Sequence, residues 1–250
     1  MTSLLDRVLQ LVQPTPVDGF APPPRALADG LWVFDRRLAM PGGPLLPLTG
    51  TLIRLPGGGL LVHSPVRLDA ATAEAVRSLG PITDVLAPNG FHHLFAPAWH
   101  AAYPQARLFA APGLPARVPA LAGAAPLRDG DPSPWPDVDI LVYGPVGNLG
   151  EVVVFHRPTG TLVLTDLAFN VVRVDSLFDR FGWRVVMGVP PHLAPSRTAR
   201  MTLLRDRARV RPFVERLLAL DVRRIVVSHG DVVEHDAAAA LRRGFADYLT

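Results

Sequence analysis

Short apolar runs bounded by Gly, Pro, Asn or Asp recur along the chain and are typical of β-strands. In the first half of the chain they cover residues 31–34, 51–55, 60–64, 82–88 and 107–112. In the second half they cover residues 139–144, 151–156, 161–166 and 223–228. The last of these runs is apolar almost throughout, which is expected of a strand buried on both faces. The tetrapeptides PGGG and RPTG predict tight turns, and RPTG joins two strands that we expect to be antiparallel.

Helix-favouring segments alternate with these strands and are expected at residues 69–80, 97–103, 198–220 and 236–249. Asp69 is suited to cap the first of them, and Gly80 to end it. Pro212 has no N–H group and suits the first turn of a helix, so a new helix is predicted to begin there. Both halves of the chain contain strands covered by helices, which indicates a mixed α/β fold.

The first 30 residues differ from the rest of the chain. Residues 1–13 place Asp6 inside an apolar stretch and carry no basic leader, so they predict a short amphipathic helix rather than a signal peptide. Residues 13–30 are rich in Pro and have no period, which is typical of a surface strap. We therefore predict an N-terminal helix and Pro-rich strap over residues 1–30 and a single domain over residues 31–250.

Composition narrows the function classes. A chain of 250 residues that is 49% hydrophobic and 19% charged is sufficient for one large globular domain. No apolar window approaches the roughly 18 residues of a membrane span, so we expect a soluble protein with no membrane partner. The lack of a basic leader leads us to expect a cytoplasmic location. The chain has no cysteine, which leaves His, Asp, Glu and Asn as the available metal ligands. All 25 basic residues are arginine, and the net charge is only +3.

Polar clusters follow three of the predicted strands, where α/β folds place their ligands. The first is the segment NGFHH, which contains Asn89, His92 and His93; the second is Asp166, and the third is His229. Three imidazoles and a carboxylate are suitable ligands for a divalent ion such as zinc, iron or manganese. The alternative is that the histidines belong to ordinary turns and that Asp166 caps the segment after it.

This order of motifs resembles the metallo-β-lactamase superfamily, whose members carry a His-x-His-x-Asp-His loop, a later His in a Gly-rich segment, an Asp that closes a strand and a last His beside Gly. The resemblance covers residues 30–235 and is strongest at LVLTDLAF and VVSHGD. It extends to an uncharacterised branch in which the sequence around APNGFHHLF recurs. The resemblance implies a four-layer αββα sandwich with a metal site along one edge of its two sheets.

The metal-binding loop departs from the family pattern. When His93 is set on the last His of the loop motif, His92 falls on its Asp. Pro88 and Gly90 then fall on the first two His, and neither side chain can bind a metal. The resemblance therefore implies that one of the family's two metal sites is lost. The implied ligands of the remaining site are His92, His93, Asp166 and His229.

Two further positions differ from the family. Asn148 stands where the family has the middle His of the Gly-rich segment, and His63 stands where an Asp follows the second sheet strand. Together with Asn89, both are candidates to orient a water molecule or an oxyanion. The implied catalytic set is Asp166, Asn148 and His63.

The function implied is that of a metal-dependent hydrolase. One divalent ion, zinc or alternatively iron or manganese, would activate water against an ester, lactone, thioester or phosphoester of a small-molecule substrate. The alternative is a degenerate, non-catalytic member of the fold that acts as a binding or structural module, since three imidazoles of the family pattern are absent. The sequence does not indicate an oligomeric state.

Two other features have open interpretations. Residues 197–224 contain nine arginines, but acidic residues are interspersed and no aromatic residue alternates with them, which favours a solvated helix surface over a nucleic-acid site. The aromatic residues of the stretch 169–183 either line an apolar substrate channel or lid, or pack against the core. These residues are Phe169, Phe178, Phe181 and Trp183.

Overall fold

The computed structural model describes residues 15–17, 19, 21–41, 43–146, 149–174 and 176–250. In this part of the chain the strands are β1 (Thr15–Pro16), β2 (Arg25–Ala28), β3 (Leu31–Ala39), β4 (Leu45–Arg54), β5 (Leu60–His63), β6 (Ile82–Ala87), β7 (Arg107–Ala110), β8 (Ala125–Pro126), β9 (Val138–Val146), β10 (Leu149–His156), β11 (Thr161–Leu164) and β12 (Arg224–Val227). The helices are α1 (Ala70–Leu79), α2 (Ala96–Ala102), α3 (Leu114–Arg117), α4 (Leu177–Phe181), α5 (Arg197–Met201), α6 (Arg207–Leu218) and α7 (Ala237–Gly244), and a π-helical turn (Gly182–Val186) follows α4. None of these helices is long and apolar enough to span a bilayer.

The described strands form two sheets. The first sheet has the order β1-β3-β4-β5-β6-β7-β8, with β2 also paired to β3, and the second has the order β12-β11-β10-β9. Strands β5 to β8 are parallel to one another, and so are β11 and β12. The expected antiparallel pairing across the RPTG turn is confirmed, because Val154 pairs with Val163 between β10 and β11.

The described part of the Pro-rich strap joins the first sheet through two short strands. Pro16 of β1 pairs with Leu38, and Arg25 of β2 pairs with Val33. The amphipathic helix predicted for the start of the chain lies outside the described residues.

Side chains of the second sheet alternate between two cores, as the pleat of a strand requires. Val152 and Val154 of β10 belong to the core shared with the first sheet. Val153 and Phe155 belong to a second core, formed with α5, α6 and α7. On the other side, Val76 of α1 and Trp99 of α2 pack on the first sheet. The predicted four-layer αββα sandwich is confirmed.

Local signals account for some helix ends and fail at one. Asp69 caps α1 by accepting hydrogen bonds from the Thr72 N–H and hydroxyl groups, each at 2.7 Å. The predicted helix start at Pro212 is wrong, because this residue lies inside α6. Proline costs a helix interior about 3 kcal/mol, whereas each large apolar side chain that is buried returns roughly 1.5–3 kcal/mol. The side chains that α6 buries are Val210, Phe213, Val214 and Leu217.

The carboxyl ends of β6, β11 and β12 meet where the two sheets approach each other. The Val152 N–H of β10 donates to the Pro88 carbonyl after β6, at 2.8 Å. The Thr49 N–H of β4 donates to the Ser228 carbonyl after β12, also at 2.8 Å. Hydrogen bonds between the sheets therefore fix the loops that carry the candidate ligands.

Candidate metal centre

Three side chains from these loops converge at the edge of the sandwich. The Nε2 atoms of His92 and His229 are 3.1 Å apart. Each also lies 3.4 Å from an oxygen of Asp166, His92 from Oδ2 and His229 from Oδ1. Among the described residues, these three form the group of His, Asp or Glu side chains whose ligand atoms could share one ion.

The ring of His92 is held at its other nitrogen. Nδ1 is hydrogen-bonded to the Ser64 hydroxyl at 2.8 Å. The loop before it is fixed by Asn89, whose Oδ1 accepts the N–H groups of Phe91 and His92 at 2.8 Å each. Together these bonds direct Nε2 of His92 towards Asp166.

The ring of His229 is held in the same way. Its Nδ1 lies 2.7 Å from the Pro47 carbonyl oxygen, which can only accept, so Nδ1 carries the proton. Nε2 is then left with a free lone pair on the side of Asp166. Phe169 stacks on the ring with centroids 4.7 Å apart, which prevents it from turning. This is the arrangement expected of a metal-binding histidine.

Asp166 is positioned from two sides. The Asn89 amide donates to its Oδ2 at 2.7 Å and to the Thr165 hydroxyl at 2.8 Å. Its own N–H donates to Glu151 at 2.7 Å. Its side chain is 19% exposed, whereas both imidazoles are nearly covered, so the carboxylate marks the open side of the cluster.

The pKa values of Asp166 and His92 are shifted towards the protonation states that bind a metal ion. Burial acts to raise the pKa of Asp166, but its interactions with the neighbouring His92 and His229 outweigh burial, and the net pKa lies well below the usual range. Burial lowers the pKa of His92, although the charge of Asp166 opposes this. The cluster therefore offers an ionised carboxylate and a neutral His92 imidazole near neutral pH.

Glu151, which is not among the expected site residues, accepts a hydrogen bond from the Asp166 N–H at 2.7 Å. It is fully buried, and burial together with the charge of Asp166 raises its pKa to about 7. The signal in the sequence was a carboxylate at the head of the apolar run VVVF. Three of its hydrogen-bond donors are peptide N–H groups, which the sequence does not distinguish.

The other expected site residues fall in different places. His93 is not in the converging group; its Nδ1 is buried without a hydrogen-bond partner, and burial followed by the charge of Arg117 lowers its pKa. His63 is fully buried beside His92 with no hydrogen-bond partner for either ring nitrogen. Burial, and then the charge of His92, lower the pKa of His63 to about 3. Asn148 lies outside the described residues.

The aromatic stretch after β11 divides between core and surface. Phe169 and Trp183 are buried and pack against each other, with centroids 6.2 Å apart. Phe178 and Phe181 are exposed on α4. Phe169 and Trp183 therefore pack against the core, as one of the two interpretations of this stretch predicts.

The basic segment 197–224 carries ion pairs on its surface. Arg211 pairs with Glu215 within α6, and Arg216 pairs with Asp129 of a neighbouring loop. These pairs support the interpretation of this segment as a solvated helix surface.

The donor set fits a divalent ion. Ligands about 2.0–2.1 Å from a tetrahedral zinc ion lie roughly 3.3–3.4 Å from one another. The two Nε2 atoms are 3.1 Å apart, and each lies 3.4 Å from a different oxygen of the Asp166 carboxylate. Two imidazoles and one carboxylate suit zinc and also iron or manganese. Three protein ligands leave at least one position free on the ion.

Residues 28–176 match the family described as "Domain of unknown function (DUF4336)". The sequence has no match among the curated proteins. Among solved structures, the chain is similar to the metallo-β-lactamase FIM-1 from Pseudomonas aeruginosa in its mono-zinc form. That alignment has 14% identity and a TM-score of 0.60, and it covers 92% of this chain and 98% of that chain.

Two further solved structures are similar. A metallo-β-lactamase from Pontibacter korlensis aligns with 10% identity and a TM-score of 0.58, over 90% of this chain and 98% of that chain. The metal-soaked Flv1 flavodiiron core from Synechocystis sp. PCC6803 aligns with 15% identity and a TM-score of 0.64, over 94% of this chain and 61% of that chain. At these identities the likeness concerns the fold alone.

Proposed function

The chain belongs to the DUF4336 family and has the metallo-β-lactamase fold, and from that premise we propose that it is a hydrolase with one divalent ion held by His92, Asp166 and His229. The observation that supports this proposal is the convergence of two Nε2 atoms, 3.1 Å apart, and one carboxylate, with one ligand atom of each residue within 4.8 Å of the others. A bound divalent ion supplies hydroxide from water near neutral pH and polarises a carbonyl or phosphoryl oxygen. The proposed substrate is a small ester, lactone, thioester or phosphoester.

The protein residues prepare the site for this chemistry. Ser64 and the Pro47 carbonyl hold the two rings so that their Nε2 atoms face one point. Asp166 contributes the negative charge, and its exposed edge gives the substrate an approach. Because the expected fourth ligand, His93, lies outside the group, a tetrahedral ion keeps one position for water. Zinc is therefore compatible with catalysis here, and iron or manganese is the alternative.

A serine nucleophile is a competing mechanism, because Ser64, His92 and Asp166 form a chain of contacts in the order of a catalytic triad. Ser64 also has a positive φ of 51°, an unusual conformation for a residue other than glycine. However, the residue is only 1% exposed, so a substrate carbonyl cannot reach its hydroxyl. The geometry favours Ser64 as a support for His92.

Metal analysis combined with turnover tests the proposal. Purified wild-type protein is loaded with zinc, manganese or iron, and we expect about one bound equivalent. Asp166→Asn and His229→Ala should retain only a small fraction of that metal, while His192→Ala, which removes an exposed histidine, should bind as the wild type does. Absence of metal from the loaded wild type would contradict the proposed site.

The hydrolase activity is tested separately, with ester, lactone, thioester and phosphoester substrates. We expect turnover that depends on added metal and that Asp166→Asn abolishes. A protein that binds its ion but hydrolyses none of these substrates would instead be the non-catalytic module, with the ion in a structural role.

A further inference from the structure

The carboxylate of Glu151 accepts hydrogen bonds from three consecutive peptide groups. Oε1 accepts the Thr165 N–H at 2.7 Å, and Oε2 accepts the N–H groups of Asp166 and Leu167 at 2.7 and 2.8 Å. These residues form the turn that leaves β11 and presents the Asp166 side chain. No residue of this turn could shift without breaking a hydrogen bond to Glu151.

Placing a carboxylate here is costly, so its presence requires a reason. Glu151 is fully buried, and a buried charge is unfavourable unless its oxygens are fully hydrogen-bonded. The three peptide N–H groups provide that compensation. An apolar residue at this position would leave the same three N–H groups buried without acceptors. The carboxylate and the turn therefore depend on each other.

Glu151 also lies beside the loop that carries His92. Its backbone forms a bridge with Asn89, and the N–H of the next residue, Val152, donates to the Pro88 carbonyl. The Asn89 amide in turn donates to Asp166. One short segment of β10 thus fastens two of the three loops that carry the candidate ligands.

We propose that Glu151 is a positioning residue that sets the Asp166 carboxylate at the distance from His92 and His229 that a metal ion requires. The inference rests on the proposed function as far as the ion is concerned, but the hold on the turn is a property of the metal-free protein. Glu151 acts through the backbone and does not itself contact the ion.

Metal affinity is the first readout, measured for Zn²⁺ by competition with a chromophoric chelator and for Co²⁺ by visible absorption. Glu151→Gln keeps the size of the side chain but replaces one acceptor oxygen by an NH2 group, which would face a peptide N–H group of the turn instead of accepting from it. We expect its affinity to fall about 10- to 100-fold, the usual effect of losing a group that orients a ligand, with an altered Co²⁺ spectrum. Glu151→Asp keeps both acceptor oxygens on a shorter arm and should rescue part of the loss.

The matched control is Asp84→Asn. Asp84 is also a buried carboxylate, but it pairs with Arg107 at the amino-terminal half of β6, away from the candidate ligands. This variant should lose stability while binding metal as the wild type does. If Glu151→Gln also binds metal as the wild type does, the positioning role is refuted.

Amide hydrogen exchange in the metal-free protein separates this inference from the proposed function. We expect the N–H groups of Thr165, Asp166 and Leu167 to exchange at least about tenfold faster in Glu151→Gln than in the wild type. Unchanged exchange overturns the inference, whether or not the protein binds metal. Faster exchange in a protein that binds no metal would refute the proposed function but confirm that Glu151 stabilises the turn at residues 165–167. If Glu151→Gln does not fold, Glu151→Asp carries both measurements.

Discussion

At the residue scale, the adjacent side chains of His92 and His93 have different surroundings. The N–H of His92 is bound to Asn89, and its ring lies between Ser64 and Asp166. His93 follows in the same turn and lies outside the group of converging ligand atoms. The sequence pattern could not separate the two, because the direction of a side chain depends on how the turn is fixed.

This difference predicts the effect of removing each histidine. His92→Ala deletes one of three proposed ligands and should weaken Zn²⁺ binding by more than about 100-fold, because removing even a group that orients a ligand costs 10- to 100-fold. His93→Ala should bind Zn²⁺ within a few fold of the wild type. The measurement is titration calorimetry on both variants, and comparable losses in the two would show that His93 is a ligand.

His63 makes the stability of the folded protein depend on pH. Its pKa is about 3 in the folded protein, whereas an unfolded chain protonates near the ordinary value of 6.5. Between these values the unfolded chain binds more protons, so stability is full above about pH 6.5 and falls as the pH is lowered. At about pH 5 the contribution of His63 alone is a loss of roughly 2 kcal/mol.

Urea unfolding of metal-free protein at about pH 7.5 and pH 5 measures this effect. His63→Leu cannot be protonated, so its free energy of unfolding should fall less between the two pH values than that of the wild type. Each protein is compared with itself, which cancels the direct effect of the substitution. Equal losses in the two proteins would mean that His63 is not the group responsible.

Individual residues also show how much of the site could be predicted from the sequence. Asp166 and His229 were identified because each directly follows an apolar strand, and strand ends at one sheet edge meet in space. Glu151 could not be predicted, because the N–H groups of residues 165–167 that hydrogen-bond to it belong to the backbone, and no side-chain motif indicates them. His63 was noticed as a departure from a family pattern, but its complete burial follows from the packing of both sheets.

At the scale of elements, the turn after β12 depends on a glycine. Gly230 has a φ of +120°, and a Cβ atom there would lie 2.3 Å from the Asn170 carbonyl oxygen. The Asn170 N–H donates to the carbonyl of His229 at 3.0 Å. A displaced Asn170 would therefore shift His229 as well.

Gly230→Ala should consequently affect both stability and metal binding. We expect a loss of about 2–6 kcal/mol, since overpacking of roughly 1–3 kcal/mol adds to roughly 1–3 kcal/mol of strain from the positive φ. Gly57→Ala in the β4–β5 turn is the control, because its φ is +92° but nothing lies within 4 Å of the added Cβ. Denaturant unfolding and Zn²⁺ titration should show a smaller loss of stability and normal binding for Gly57→Ala. Normal binding by Gly230→Ala would disprove the coupling to His229.

The elements themselves were predicted unevenly, for a physical reason. Strands and the Asp69-capped helix follow from local patterns, and the structure contains them with ends that differ by up to six residues, as at the start of β4. The continuity of α6 through Pro212 does not follow, because the apolar side chains of that helix find their partners on the second sheet. Burial of these side chains outweighs the unfavourable effect of Pro212 in the helix, and a rule based on the local sequence does not include that burial.

At the scale of the whole molecule, the two-sheet architecture places the proposed ion between parts of the chain that are distant in sequence. His92 belongs to the first sheet's loops, whereas Asp166 and His229 follow strands of the second sheet. An ion bound by all three would link the two sheets, and it could do so only in the folded state. The order of motifs along the chain predicted the fold, but the order in which the strands pair within each sheet required the structure.

Metal binding should therefore raise the stability of the entire domain. Binding to the folded state alone adds about 2.7 kcal/mol when free metal is 100 times Kd. For a domain of this length that corresponds to a rise of roughly 5–10 °C in Tm, at about 2–4 °C per kcal/mol. Thermal unfolding in excess Zn²⁺ and in chelator measures the difference, and Asp166→Asn should abolish it. His92→Ala, which removes the ligand contributed by the first sheet, should abolish the rise as well, because all three ligands are proposed to hold one ion. If either variant shows the same rise in Tm as the wild type, the stabilising ion binds elsewhere.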